Sequence, residues 1–326
     1  MKRTILTALF LFFSLTNSSC EKSSTDKKSN AEGGITIAMI PKGTTHEFWK
    51  SVNAGGEDAA RELNIKLIWK GPLREDQASE QISIVESFVS DKVSAIVLAP
   101  LNDAALVSPV ATAHDKKIPV IIIDSPLKGE AGKDFASLVA TDNYKGGEAA
   151  GAELVKALGD GPKKVVLLRY AVGSASTESR EKGFLDTIAK HKNLTVISDN
   201  QYAGATTDSA KKAAENLMDK LKEADGVFCP NESSTRGMLM ALSDNHLAGK
   251  IKFVGFDASE PLLAAVKSGE IAALVAQNPR NMGYLGVKTA VAIIRGEKVP
   301  TSIDTGSGVI TAKNMDDPAI KKLLGK

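Results

Sequence analysis

The sequence predicts an α/β protein made of two doubly wound parallel-sheet lobes. Short apolar runs alternate with helix-like segments along most of the chain. The runs are continuous and β-branched, as in Val120-Ile121-Ile122-Ile123, which suits parallel strands covered on both faces. About ten such runs occur, many for one small sheet, so the chain is expected to divide into two similar lobes.

Along the chain, the first twenty residues stand apart. Met1-Lys2-Arg3 is positive, residues 5–15 are a mainly apolar stretch broken only by Thr7 and Ser14, and Thr16-Asn17-Ser18-Ser19 leads to Cys20. This reads as a secretory signal over 1–19, too short for a membrane span. Cys20 resembles the lipid-acceptor cysteine of bacterial lipoproteins, although Asn17 stands where Leu is usual. Residues 21–30 contain no apolar side chain, so 20–33 reads as a flexible tether from a lipid anchor.

Strand candidates follow at 35–40, 65–70, 95–99, 120–124 and 138–140, then at 164–169, 195–198, 226–229, 252–256 and 273–276. Between them, 47–63 keeps Phe48, Val52, Ala59 and Leu63 on one helical face, and 79–89 does the same with Ile82, Val85 and Val89. Residues 176–189 and 208–221 also read as helices. Thr44 or Thr45 is the expected cap of the first helix, and Asp76 or Ser79 that of the second.

Composition narrows the function. The 326 residues are 43% hydrophobic and 25% charged, with a formal charge of +2. Loss of residues 1–19 would take Lys2 and Arg3 from 41 cationic side chains and leave them equal to the 39 anionic ones. Disorder and general nucleic-acid binding are excluded. Two cysteines exclude a disulfide-stapled scaffold and a multi-Cys zinc module. Cys229, in an expected strand, reads as a small buried hydrophobe. His114, His191 and His246 lack metal-ligand spacing. Neither Gly55-Gly56 nor Gly146-Gly147 forms a phosphate-cradling loop. No cofactor or metal is expected.

In open α/β sheets, ligands bind beyond the carboxyl ends of the strands. Those ends carry Lys42, Asp124, Thr141-Asp142-Asn143, Arg169-Tyr170, Asn231-Glu232, Asp257 and Gln277-Asn278. Phe48 and Trp49 follow the first of them, with His46 beside them as a ligand contact or a solvent-facing residue. Carboxylates and amides bracket hydroxyls, and rings cover apolar C–H faces, so a polyhydroxy ligand fits this mixture.

The motifs Ile118-Pro119-Val120-Ile121-Ile122-Ile123-Asp124, Val139-Ala140-Thr141-Asp142-Asn143 and SASTESREKGF over 174–184 occur in this order. Phe228-Cys229-Pro230-Asn231-Glu232, Val254-Gly255-Phe256-Asp257 and Ala276-Gln277-Asn278-Pro279 follow. With them the chain, over about 34–312, resembles the sugar-binding proteins of bacterial ABC transporters, of the ribose-binding type I periplasmic family. The resemblance implies lobes of 34–141 plus 278–306 and of 142–277 plus 307–326. Three hinge crossings would lie near Thr141-Asp142, Gln277-Asn278 and Thr305-Gly306.

It also implies a ligand set: Phe48 and Trp49 as ring-stacking aromatics, Asp124, Thr141, Arg180, Asn231, Asp257 and Gln277 as polar contacts. Pro41-Lys42 and Trp69-Lys70-Gly71-Pro72 look like the autoinducer- and rhamnose-binding branch, which adds Lys42. Ser125 and Ala99 stand where ribose binders carry Arg and Asn, so two polar contacts are lost. Tyr202 is the candidate for an aromatic missing near Gly204.

The implied function is an exported, lipid-anchored receptor, periplasmic or on the cell surface. It would capture a sugar or polyol and deliver it to an ABC permease, as a monomer touching the membrane only through its anchor. The alternative reader of the closed form is a sensor kinase or chemoreceptor. A repressor effector domain is rejected because a signal stands where a helix-turn-helix would be. An enzyme is rejected because no activated nucleophile or metal set is visible; Asp124 and Asp257 as glycosidase carboxylates are the weaker reading.

Overall fold

The computed structural model describes residues 34–325; the signal, the tether and Cys20 lie outside them. Twelve strands are described: β1 Thr36–Ile40, β2 Lys66–Trp69, β3 Ala95–Leu98, β4 Val120–Ile123, β5 Ser137–Ala140, β6 Lys163–Arg169, β7 Leu194–Tyr202, β8 Gly226–Phe228, β9 Lys252–Phe256, β10 Ala273–Gln277, β11 Ser302–Asp304 and β12 Ser307–Ile310. The helices are α1 Glu47–Leu63, α2 Ala78–Ser90, α3 Val107–Asp115, α4 Asn143–Leu158, α5 Ala175–Ile188, α6 Thr207–Asn216, α7 Met218–Glu223, α8 Glu232–Asp244, α9 Glu260–Ser268, α10 Pro279–Ile294 and α11 Pro318–Leu323.

The strands form two six-stranded sheets, ordered β11-β5-β4-β3-β1-β2 and β12-β10-β9-β8-β6-β7. Each sheet is the middle layer of one lobe. Ile37 and Met39 pack with Val52 of α1 and Met282 of α10, while Ala38 and Ile40 face Ile84 and Phe88 of α2. In the second sheet Val165 and Leu167 pack with Leu154 and Phe184, and Val166 and Leu168 with Met238 and Leu242. Burial on both faces explains the unbroken apolar runs, and each large side chain so buried contributes about 1.5–3 kcal/mol.

The structure departs from the sequence reading at the edges. β11 and β12 have no apolar run; they exist because β11 pairs in parallel with β5 and β12 antiparallel with β10. The second sheet is therefore not wholly parallel. β7 runs to Tyr202 as a half-exposed edge strand with register shifts against β6. The helix expected over 208–221 breaks at Leu217, which caps α6 and starts α7.

The chain passes between the sheets after β5, after β10, and between β11 and β12. One side chain at each passage joins a buried cluster: Thr141 Oγ1 donates to Gln277 Oε1 at 3.0 Å and lies 3.4 Å from Thr305 Oγ1. The internal glycines serve close helix packing. A Cβ on Gly147 of α4 would sit 2.0 Å from the Arg180 carbonyl oxygen of α5, so glycine lets α5 approach and sets the position of Arg180.

Candidate ligand cleft between the lobes

Asp124 and Asp257 occupy equivalent places, each just after the fourth strand of its sheet. Both adopt the left-handed region, with φ of 63° and 69°, which Asp tolerates better than most residues. Each amide still bonds to the neighbouring strand, to Val139 O at 3.1 Å and Val275 O at 2.9 Å. The chain thus turns sharply at both strand ends, and the two carboxylates border one cleft.

Lys42 reaches the cleft from the end of β1. Buried Gln81 of α2 fixes its loop by donating to Pro41 O and Ala99 O at 2.9 and 2.8 Å and accepting from Leu101 N. Lys42 Nζ lies 2.9 Å from Asp124 Oδ2 and donates to Ser176 Oγ, in the other lobe, at 3.0 Å. Ser125 Oγ accepts from Ser176 N at 3.1 Å. The residue after Asp124 therefore serves contact between the lobes.

Arg180 of α5 is buried beneath the cleft with its guanidinium 4.0 Å from the centre of the Phe256 ring. Nε donates to Asn143 Oδ1 at 2.8 Å and Nη1 to Pro230 O at 2.9 Å, while buried Nη2 has no hydrogen-bond partner among the described residues. Burial pulls the guanidinium below its ordinary range, opposed by Asp257 and Asp124. Asp257 accepts from Gln277 Nε2 and from Glu232 N, both at 2.8 Å. Burial raises its carboxyl to about 6 against the pull of Arg180 and Gln277. Asn231 caps α8, its Oδ1 accepting from Ser234 N.

Glu75, from the loop after β2, joins both lobes. It accepts from Trp49 Nε1 at 2.7 Å and from Tyr170 OH, in the other lobe, at 2.8 Å, and lies 2.8 Å from His46 Nδ1. Burial opposes both charges of the pair. For Glu75 it is outweighed by His46, Lys42 and Trp49, which hold the carboxyl at about 2. For His46 it is outweighed by Glu75, which raises the imidazole to about 9. The stabilisation from charged His46 is full below its ordinary 6.5 and lost as pH rises through about 9. Urea titrations should therefore show stability falling by about 3 kcal/mol across that window, and His46→Gln should flatten the slope. A wild-type curve flat to pH 10 would contradict the pairing.

Residues 37–298 match the model of the periplasmic binding protein domain. A ribose import binding protein of Bacillus subtilis is 32% identical, over 96% of this chain and 100% of its own. A solute-binding protein from Agrobacterium radiobacter, solved with D-arabinose, is 37% identical with a TM-score of 0.85, covering 90% of this chain and 99% of its own. One from Agrobacterium vitis, solved with D-fucose, is 33% identical with a TM-score of 0.84, over 88% and 98%.

The chain belongs to the periplasmic binding protein family. As in its import relatives, its role is to bind a solute and not to transform one, and a signalling reader is not favoured. Periplasmic placement goes with the family. Among the described residues no His, Cys, Asp and Glu group could hold a metal ion, and no helix is long and apolar enough to cross a membrane.

In this periplasmic binding protein the sequence candidates Lys42, Phe48, Trp49, Asp124, Arg180, Asn231, Asp257 and Gln277 all border the cleft. Thr141 lies instead in the cluster at the passages between sheets. Phe48 is half-buried, whereas Trp49 is buried in the core, edge-on to Phe48 at 4.9 Å. Tyr202 is exposed and away from the cleft. Cys229 is buried, and burial pushes its thiol up.

The expected caps are corrected. Thr44 Oγ1 donates to Pro72 O, His46 holds the cap position of α1 without a side-chain bond, and Gln77 holds that of α2. Glu75 is not named in the sequence reading; Tyr170 and Glu232 appear there only as strand-end residues and Ser176 only within the 174–184 motif, none of them in the implied ligand set. Glu75 follows a strand end like the others, and Glu232 directly follows Asn231; position alone was the available signal.

Proposed function

We propose that this protein captures a neutral pentose, deoxyhexose or similar polyol between its lobes and presents the closed form to an ABC import permease. The observation that carries the residue roles is Arg180, a buried cation whose Nη2 has no hydrogen-bond partner among the described residues, beside two strand-end carboxylates. A ligand hydroxyl there would satisfy Nη2 while Asp124 and Asp257 accept from neighbouring hydroxyls. Phe48 would cover the apolar face of the ring. Ser125 and Ala99 offer fewer polar contacts, which favours a small ligand, and D-arabinose and D-fucose occupy two related structures.

The free space in the cleft is about 20 Å³, room for about one water. Capture therefore requires the lobes to part at the Thr141, Gln277 and Thr305 passages and Lys42 to yield Asp124 in part to the ligand. The lobe limits read from sequence, 34–141 plus 278–306 and 142–277 plus 307–326, serve as the moving bodies. Cys20 would tether the protein, as a monomer, to a membrane through lipid.

A thermal-shift screen against D-ribose, D-arabinose, D-fucose, D-allose and xylitol tests this. A binder at a hundredfold excess over Kd should raise Tm by about 5 °C, and Asp124→Ala or Asp257→Ala should abolish the rise. No shift with any of the five, or a shift untouched by both substitutions, would overturn the assignment.

A further inference from the structure

We propose that Glu232 is the latch of the closed form, a positioning residue in one lobe that caps the first helix of the other. The inference rests on the cleft being the ligand site. Helix α1 needs acceptors for its first amides; the His46 carbonyl takes those of Trp49 and Lys50, and the His46 side chain offers none to Glu47 or Phe48. Glu232, the first residue of α8 in the opposite lobe, supplies them: Oε1 accepts from Glu47 N at 3.3 Å and Oε2 from Phe48 N at 3.0 Å. The carboxylate is buried, with Arg236 Nη1 at 3.9 Å.

Three features make this a coupling device. A negative group at a helix N-terminus is favoured by the helix dipole, so the bonds are charge-assisted. Their donors and acceptor belong to different lobes, so parting the lobes breaks both at once. Glu232 N also donates to Asp257 Oδ2 at 2.8 Å. The backbone that holds the ligand carboxylate in one lobe thus carries the side chain that positions Phe48 in the other. The sugar need not touch Glu232 for Glu232 to hold the cleft shut.

The test compares wild type, Glu232→Gln and Glu232→Ala by X-ray scattering in buffer and with saturating D-arabinose. The latch predicts a larger radius of gyration for Glu232→Ala in buffer. Glu232→Gln, which keeps the volume and one acceptor, should fall between and carries the test where the alanine variant does not fold. Where arabinose binds, its dissociation should quicken about five- to tenfold, with association no slower than in the wild type.

A merely local helix cap would lower Tm and speed hydrogen exchange at the Glu47 and Phe48 amides without altering scattering. Unchanged scattering in both variants therefore overturns the latch, whatever arabinose does. Failure of arabinose to compact or stabilise the wild type bears instead on the proposed ligand, and the buffer comparison still decides the latch.

Discussion

Glu75→Ala is expected to destabilise the protein by about 3–5 kcal/mol, lowering the urea midpoint at pH 7 and Tm by about 5–8 °C. One carboxylate accepts from Trp49 Nε1 and Tyr170 OH and pairs with His46. Its removal leaves a buried imidazole without its counter-charge and two donors without an acceptor. Burial would then drive His46 back toward or below its ordinary 6.5, so the alkaline loss of stability should disappear with the carboxylate. Tyr170→Phe removes only the bond between the lobes and should cost about 1 kcal/mol. A Glu75→Ala effect below about 1 kcal/mol would show that water replaces the carboxylate, and the network would lose its structural role.

Arg180→Lys is expected to weaken binding of whichever panel sugar stabilises the wild type by about a hundredfold, or about 3 kcal/mol. The guanidinium lies on Phe256, and its Nε and Nη1 are anchored to Asn143 and Pro230 O. That anchoring leaves Nη2 as the group free for ligand. An ammonium keeps the charge but cannot fill the same fork. Isothermal titration reads the affinity, and circular dichroism separates loss of binding from loss of fold. An affinity within threefold of wild type would remove Arg180 from the ligand set.

Local pattern carried much of the fold. Residues 47–63 read as a helix because apolar side chains recur on one face, and α1 has those bounds. Continuous runs such as Val120–Ile123 read as doubly covered strands because neither face could tolerate polarity. Asp124 and Asp257 were legible because each follows a strand, where a parallel sheet presents its ligands. The short strands Ser302–Asp304 and Ser307–Ile310 were not legible, since their pairing comes from existing sheet edges and not from their own side chains.

Tertiary structure decided what the strand-end residues touch. Lys42 is legible as a cleft candidate from its place after a strand, whereas its partners Asp124 and Ser176 come from another strand and from the other lobe. Glu75 and Glu232 have the composition of ordinary turn and first-turn acids. Their significance arises because three passages between the sheets bring Tyr170 against Glu75 and the start of α1 against Glu232. Periodicity records whether a side chain meets water or apolar neighbours within its own element. It holds no record of which charged group a second lobe delivers, because that depends on the relative placement of two bodies joined by a few residues.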